Sequence, residues 1–79
     1  MSNLDIYKGI FSDVFGVSAD ALGDSFTKEN IDQWDSVHQL SLVSLAEDKF
    51  DIMLDPEDIL GFTSYAGGLE IIRNQGVEI

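Results

Sequence analysis

The sequence predicts a small all-α fold, and three observations lead to that prediction. The chain has 79 residues, about the size of one domain. Hydrophobic residues make up 44% of it, enough to form a core. In four segments they recur at steps of three and four, the spacing of one helix face. We therefore predict one domain over residues 1–79, a four-helix bundle with a long first loop and a short third helix.

The first predicted helix follows Ser2 and Asn3, either of which can cap it, and it ends at Gly16. Its apolar face consists of Leu4, Tyr7, Ile10, Phe11 and Val14. The apolar stripe lapses over residues 17–34, which predicts a long loop. A loop of this length is expected to be pinned to the core, with Trp34 as one of the pins. Its other apolar anchors are Ala21, Leu22, Phe26 and Ile31.

The second predicted helix begins at Asp35 or Ser36 and reaches about Phe50. At about 100° per residue, one broad side of it is apolar and is expected to face the core. That side consists of Leu42, Val43, Leu45, Ala46 and Phe50.

Two shorter helices complete the predicted fold. Asp55 suits the N-cap of the third helix, which ends near Gly61. Thr63 or Ser64 opens the last helix, which runs to about Asn74. Two glycines inside this last helix either allow close packing against a neighbouring helix or mark a break in it. They are Gly67 and Gly68.

Composition restricts the partners and the location. Fifteen acidic residues against four basic ones give a net charge of −11 and a pI near 4.1. Such a surface repels nucleic acid and anionic membranes, and it attracts basic patches on other proteins. The chain has no cysteine, no apolar run of membrane-spanning length and no signal pattern in MSNLDIYKGI. We expect a cytoplasmic monomer that binds neither nucleic acid nor membranes.

The side of the second helix that points away from the core is a candidate interaction surface. Val37 and Leu40 lie on it as an apolar pair. Hydroxyl and carboxylate side chains surround that pair, which predicts a docking surface with an apolar centre and an acidic margin. These surrounding residues are Ser36, Ser41, Ser44, Glu47 and Asp48. The alternative is that the long loop covers Val37 and Leu40.

Ser36, at the start of the same helix, is the second candidate. A catalytic serine needs a base within reach, but His38, the only histidine, lies about 200° around the helix. We therefore expect neither a hydrolase nor any other enzyme, and His38 is interpreted as a solvated flanking residue. The free N–H groups of a helix start suit a covalently attached phosphate, so Ser36 is interpreted as its acceptor. The alternative is a plain cap, because Ser36 and Gln39 have capping-box spacing.

Two other acidic features are given no function. Asp24 and Ser25 form a second Asp-Ser pair, but no apolar stripe follows them, so they are not expected to open a helix. The acids around the third helix are interpreted as a solvated face and dipole complement. No EF-hand pattern is present and no metal site is predicted, although weak divalent-cation binding by these acids stays open. They are Asp51, Asp55, Glu57 and Asp58.

The stretch WDSVHQLSLVSLAEDKF resembles the recognition helix of acyl carrier proteins. That helix usually opens with Asp-Ser-Leu and continues with apolar and acidic residues to Glu-Glu-x-Phe. FDIMLDPEDIL and FTSYAGGLEII are similar to the family's later segments, and length, acidity and the long first loop agree. The positions that match the recognition helix are Asp35, Ser36, Val37, Leu42, Val43, Glu47, Asp48 and Phe50.

The resemblance implies that Ser36, preceded by Asp35, carries a phosphopantetheine arm added from coenzyme A by a separate phosphopantetheinyl transferase. The arm's thiol would hold an acyl or related group as a thioester. Acyl-loading and acyl-transfer enzymes with basic patches would then be the partners. The alternative function is an unmodified acidic interaction module that uses the outer face of the second helix.

Some positions depart from the family pattern. The usual Leu-Gly-x-Asp-Ser approach is replaced by the sequence from Asp32 to Ser36. His38 and Ser41 stand where the family often has acids, so the front of the helix is less acidic than in typical fatty-acid carriers. Fatty-acid, polyketide, polysaccharide and other specialised pathways all remain open.

Overall fold

Four α-helices account for most of residues 2–79, the part of the chain that this computed structural model describes. The helices are α1 (Asn3–Phe15), α2 (Ser36–Phe50), α3 (Pro56–Gly61) and α4 (Tyr65–Asn74), and a 3₁₀ turn lies at Ala19–Ala21. The predicted all-α class is confirmed for these residues. The third helix is short, as expected, and the longest connection is the one before α2.

The ends of α1 lie where the sequence predicts them. Ser2 is the N-cap, and its Oγ accepts a hydrogen bond from the backbone N–H of Asp5 at 3.2 Å. Gly16 ends the helix with a φ of 68°, in the left-handed region that glycine adopts without strain.

The two later helices also begin at predicted caps. Asp55 Oδ1 accepts from the N–H of Asp58 at 2.9 Å at the start of α3. Between the two expected openings of α4, the chain uses Ser64, whose Oγ accepts from the N–H of Gly67 at 2.9 Å.

The two glycines of α4 allow close packing, and they do not break the helix. A Cβ atom at Gly68 would lie 2.7 Å from the Phe62 ring and would also clash with the Tyr7 hydroxyl. That hydroxyl is buried against α4, where it donates a hydrogen bond to the carbonyl of Tyr65 at 2.6 Å. Burial, and secondly the neighbouring Tyr65, raises the pKa of Tyr7, so the phenol stays protonated as a donor.

The core is built around aromatic rings from α1. Phe11 is fully buried, and the rings of Phe26 and Trp34 lie 5.7 and 5.8 Å from its own, centroid to centroid. The edge-to-face geometry of both pairs is the favourable one for aromatic rings. Two residues of the long loop therefore complete the core that α1 begins.

The long loop is pinned both by side chains and by its backbone. Phe26 and Trp34 are buried, Leu22 and Ile31 are half-buried, and Ala21 is exposed, so the prediction of Ala21 as an anchor is wrong. The carbonyl of Phe26 accepts from the N–H of Tyr65 at 2.9 Å, next to a β-bridge between residues 27 and 64. The loop is thus attached to the turn between α3 and α4.

Within residues 2–79, no helix combines the length and the apolar character that crossing a membrane requires.

Candidate functional site

The start of α2 is capped by Asp35. Its backbone is extended, with φ −107° and ψ −176°, and its Oδ1 accepts from the N–H of His38 at 2.9 Å. The same oxygen lies 2.7 Å from Nδ1 of the His38 ring. The His38 backbone N–H, and then its ring, hold the pKa of Asp35 below its ordinary value.

Ser36 is consequently not the cap. It is the first residue of α2 and is exposed, and its hydroxyl forms no hydrogen bond with any part of residues 2–79. The capping-box interpretation is wrong, because the Gln39 side chain turns inward and donates from Nε2 to the carbonyl of Ile59 at 2.7 Å. Ser36 therefore presents a free hydroxyl at the start of a helix whose first turn is capped by the Asp35 carboxylate through the N–H of His38.

His38 is not the solvated flanking residue that the sequence predicts. Its side chain is 34% exposed, and its ring stacks on Phe15 with centroids 5.3 Å apart and planes 15° from parallel. It is also bonded to Asp35, as described above. Among the described residues His38 forms no hydrogen bond with Ser36, the contact that a nucleophile and its base require. The ring instead ties the start of α2 to the last turn of α1.

The outer face of α2 carries the apolar pair predicted there. Val37 is 68% exposed and Leu40 is 58% exposed, so the alternative that the long loop covers them is wrong. Around them, Ser44 and Asp48 are exposed and Ser41 is half-buried. Exposed apolar side chains next to polar ones are typical of a docking surface.

Glu47 differs from the rest of the predicted acidic margin. It is half-buried, and its Oε2 accepts a hydrogen bond from the N–H of Leu54 at 2.9 Å. The carboxylate therefore holds the turn after α2, where Asp51 is in the left-handed region with a φ of 54°. The sequence predicts Glu47 only as part of the margin of a docking surface. That prediction needs correction, because its carboxylate also has a structural role.

A groove of about 270 Å³ opens beside Ser36, between α2 and α3. Its walls combine apolar side chains of both helices with polar groups at its edges. The residues that line it are Lys28, Ser36, Gln39, Leu40, Ile59 and Leu60. Leu60 is 76% exposed, so it extends the exposed apolar area of Leu40 onto α3.

Sequence reasoning missed three of the groove residues. Ile59 and Leu60 lie in a helix of six residues, which is too short for apolar periodicity to indicate which side faces the core. For Lys28 the sequence contains no signal either, because its place depends on how the long loop attaches to the turn before α4.

A second groove, of about 460 Å³, lies on the loop side of the molecule. Ser36 does not line it. Its walls come from the long loop and from the turn before α4, and the residues that line it are Thr27, Lys28, Glu29, Thr63 and Ser64.

The second Asp-Ser pair and the remaining acids carry no comparable geometry. Ser25 lies in a turn outside any helix, as predicted, and its carbonyl accepts from the side chain of Asn30 at 2.9 Å. Over residues 2–79, no three His, Cys, Asp or Glu side chains are grouped closely enough to hold one metal ion.

Comparison of the chain with protein-family models, with curated proteins and with solved structures gave no match. Function is therefore inferred from the residues of the site themselves.

Proposed function

We propose that this protein is an acyl-carrier-type protein that holds a phosphopantetheine arm on Ser36. The observation that carries the proposal is that the Ser36 hydroxyl is exposed and unused at a helix start that another residue already caps. Asp35 supplies the capping carboxylate, so the serine is not needed for the stability of α2. A serine that is free of structural duty in this position is suited to modification.

The surroundings of Ser36 fit a phosphodiester and the chain attached to it. The start of a helix favours a negative charge, which at α2 is shared with the capping carboxylate of Asp35. The groove beside Ser36 offers apolar walls from Leu40, Ile59 and Leu60 to an extended, partly apolar arm. In the transfer reaction the serine oxygen would bond to the coenzyme A phosphorus that carries the pantetheine. The phosphoanhydride bond would break, adenosine 3′,5′-bisphosphate would leave, and the serine proton would pass to a base of the transferase or to solvent. The arm would supply the thiol that the chain itself lacks.

Helix order and helix length support the same proposal. Helices of 13, 15, 6 and 10 residues follow one another, and the longest connection precedes the helix that begins with the serine. This agrees with the four-helix bundle that the resemblance to acyl carrier proteins implies. The cargo is then an acyl or related group, held as a thioester on the arm.

The outer face of α2 would receive the enzymes that load and use the arm. Val37 and Leu40 form its apolar centre, and exposed Asp48 lies beside them. With a net charge of −11 the whole molecule attracts basic patches, while the apolar pair provides contact area after encounter. The phosphopantetheinyl transferase and the acyl-transferring enzymes are the partners we propose.

The test is the intact mass of the chain after incubation with a phosphopantetheinyl transferase and coenzyme A. We expect an increase by the mass of one phosphopantetheine, and no increase for Ser36→Ala. Ser25→Ala is the matched control, because it changes the other Asp-Ser pair, and it should be loaded like the wild type. Circular dichroism should find both variants folded.

An unmodified interaction module is the second function that the structure supports, because Val37 and Leu40 are exposed whether or not an arm is present. The same experiment separates the two. If the folded wild-type chain is never loaded by transferases of different specificity, the carrier function is wrong, and the module is the better explanation of the exposed pair.

A further inference from the structure

Lys28 is a cation placed in the groove that contains Ser36. It is one of only four basic residues in the chain, and it is exposed where the two grooves adjoin: it lines the groove that contains the serine and also the larger groove on the loop side. Its position is set by the backbone, because its N–H donates to the carbonyl of Thr63 at 2.8 Å. Replacing the side chain leaves this bond intact.

The ammonium group of Lys28 has no carboxylate partner within residues 2–79. Although the chain has fifteen acidic residues, the pair within salt-bridge distance in this part of the chain is His38 with Asp35. Glu29, next to Lys28, is also exposed and lines only the other, larger groove. A positive charge is therefore available to an anion in the groove beside Ser36.

We infer that Lys28 is a positioning residue that pairs with the phosphodiester of the arm attached to Ser36. The inference rests on the proposed function. A phosphodiester on the Ser36 oxygen would be attached to a residue that lines the same groove as Lys28, and lysine binds phosphate groups as a mobile point charge. The pair directs the arm along the groove between α2 and α3. The outer face around Val37 then stays free for a partner protein.

The experiment compares the melting temperature of each variant before and after complete loading with phosphopantetheine. Lys28→Gln removes the charge, and Lys49→Gln is the matched control on the same helix as Ser36, exposed and roughly 20 Å away along it. Because each protein is compared with its own unloaded form, effects of the substitution on folding cancel. The quantity compared is the melting temperature of the loaded form minus that of the unloaded form. We expect this difference to be about 1 to 4 °C lower for Lys28→Gln than for the wild type.

The control and a second readout make the result decisive. Lys49→Gln should respond to loading like the wild type, and the difference for Lys28→Gln should shrink in high salt. The ³¹P resonance of the phosphodiester should move in Lys28→Gln and not in Lys49→Gln. Equal responses of the two loaded variants, or a response of Lys28→Gln that appears only when an anionic cargo is on the thiol, would overturn the inference. A wild-type chain that cannot be loaded overturns instead the proposed function.

Discussion

The inner and outer sides of α2 differ sharply although both carry leucine. Leu42 is fully buried, whereas Leu40, two residues earlier, is 58% exposed. Two residues correspond to about 200° of rotation, so one leucine lies in the core while the other faces solvent. The same side chain therefore stabilises the fold in one place and is available to partners in the other. Hydrophobicity alone does not distinguish the two roles, and the angular position on the helix does.

The largest difference between the two sides is expected in stability. Leu42→Ala should lower the free energy of unfolding by about 2 to 5 kcal/mol, because it removes fully buried methyl groups and leaves a cavity. Leu40→Ala should change it by less than about 0.5 kcal/mol. Urea unfolding of the two variants measures both. Equal losses would place Leu40 in the core and require a different docking surface.

Glu47 is expected to contribute more to stability than its exposed neighbour Asp48. Glu47→Ala removes the acceptor of the Leu54 N–H, and a bond to a charged group is worth about 1 to 3 kcal/mol. Asp48→Ala, one residue later and exposed, should cost less than about 0.5 kcal/mol. The same unfolding measurement applies. If the two variants are equally stable, the Glu47 carboxylate does not hold the turn after α2.

A change of charge on the outer side of α2 should affect the rate of loading more than the stability of the fold. Asp48→Lys should slow loading by a phosphopantetheinyl transferase at low salt, and the deficit should shrink as salt screens charges beyond about 8 Å. Asp48 is preferred to Glu47 for this test because it forms no hydrogen bond that holds a turn. Asp13→Lys makes the same change of net charge at an exposed position of α1. A similar slowing by both variants would mean that total charge, and not the outer face of α2, steers the encounter.

The smallest effect on stability is expected from Asp35, the residue that caps the N-terminal end of α2. The pKa of Asp35 is lowered in the folded protein, so its ionised form stabilises the fold above the unfolded pKa of about 4. That contribution is lost as the pH falls through the lowered folded pKa. Asp35→Asn keeps a capping oxygen and removes the charge.

Thermal melts of the wild type and Asp35→Asn should be recorded at a series of pH values. At neutral pH the wild type should have the higher melting temperature. Its advantage should disappear on acidification below about pH 4. An advantage that persists or grows in acid would be inconsistent with a lowered pKa of Asp35.

Much of the fold could be predicted from local sequence because its signals are local. Ser2 and Asp55 begin their helices where expected, and the left-handed Gly16 ends α1 where expected, because a cap acts within one turn of a helix. The burial of Trp34 could also be predicted, since a long loop needs an anchor.

What could not be predicted depends on contacts between distant segments. Gln39 has the spacing of a capping partner, but a carbonyl of α3, 20 residues later, takes its side chain. His38 lies outside the apolar stripe of α2 in sequence and yet stacks on Phe15 of α1. Lys28 reaches the groove only because its loop attaches to the turn before α4. In the candidate site, the serine and the exposed pair could be read from sequence, and the groove could not.

The stacking of His38 on Phe15 has a consequence for how the site comes into being. The shape of the chain around Ser36 depends on α1, which is separated from it by the whole long loop. An isolated helix as short as the 15 residues of α2 is only marginally stable in water. A peptide of residues 33–50 would contain every residue of α2 and of its cap, but it would not hold them in the folded conformation. An enzyme that recognises this serine by its surroundings would thereby distinguish a finished molecule from a nascent or misfolded one.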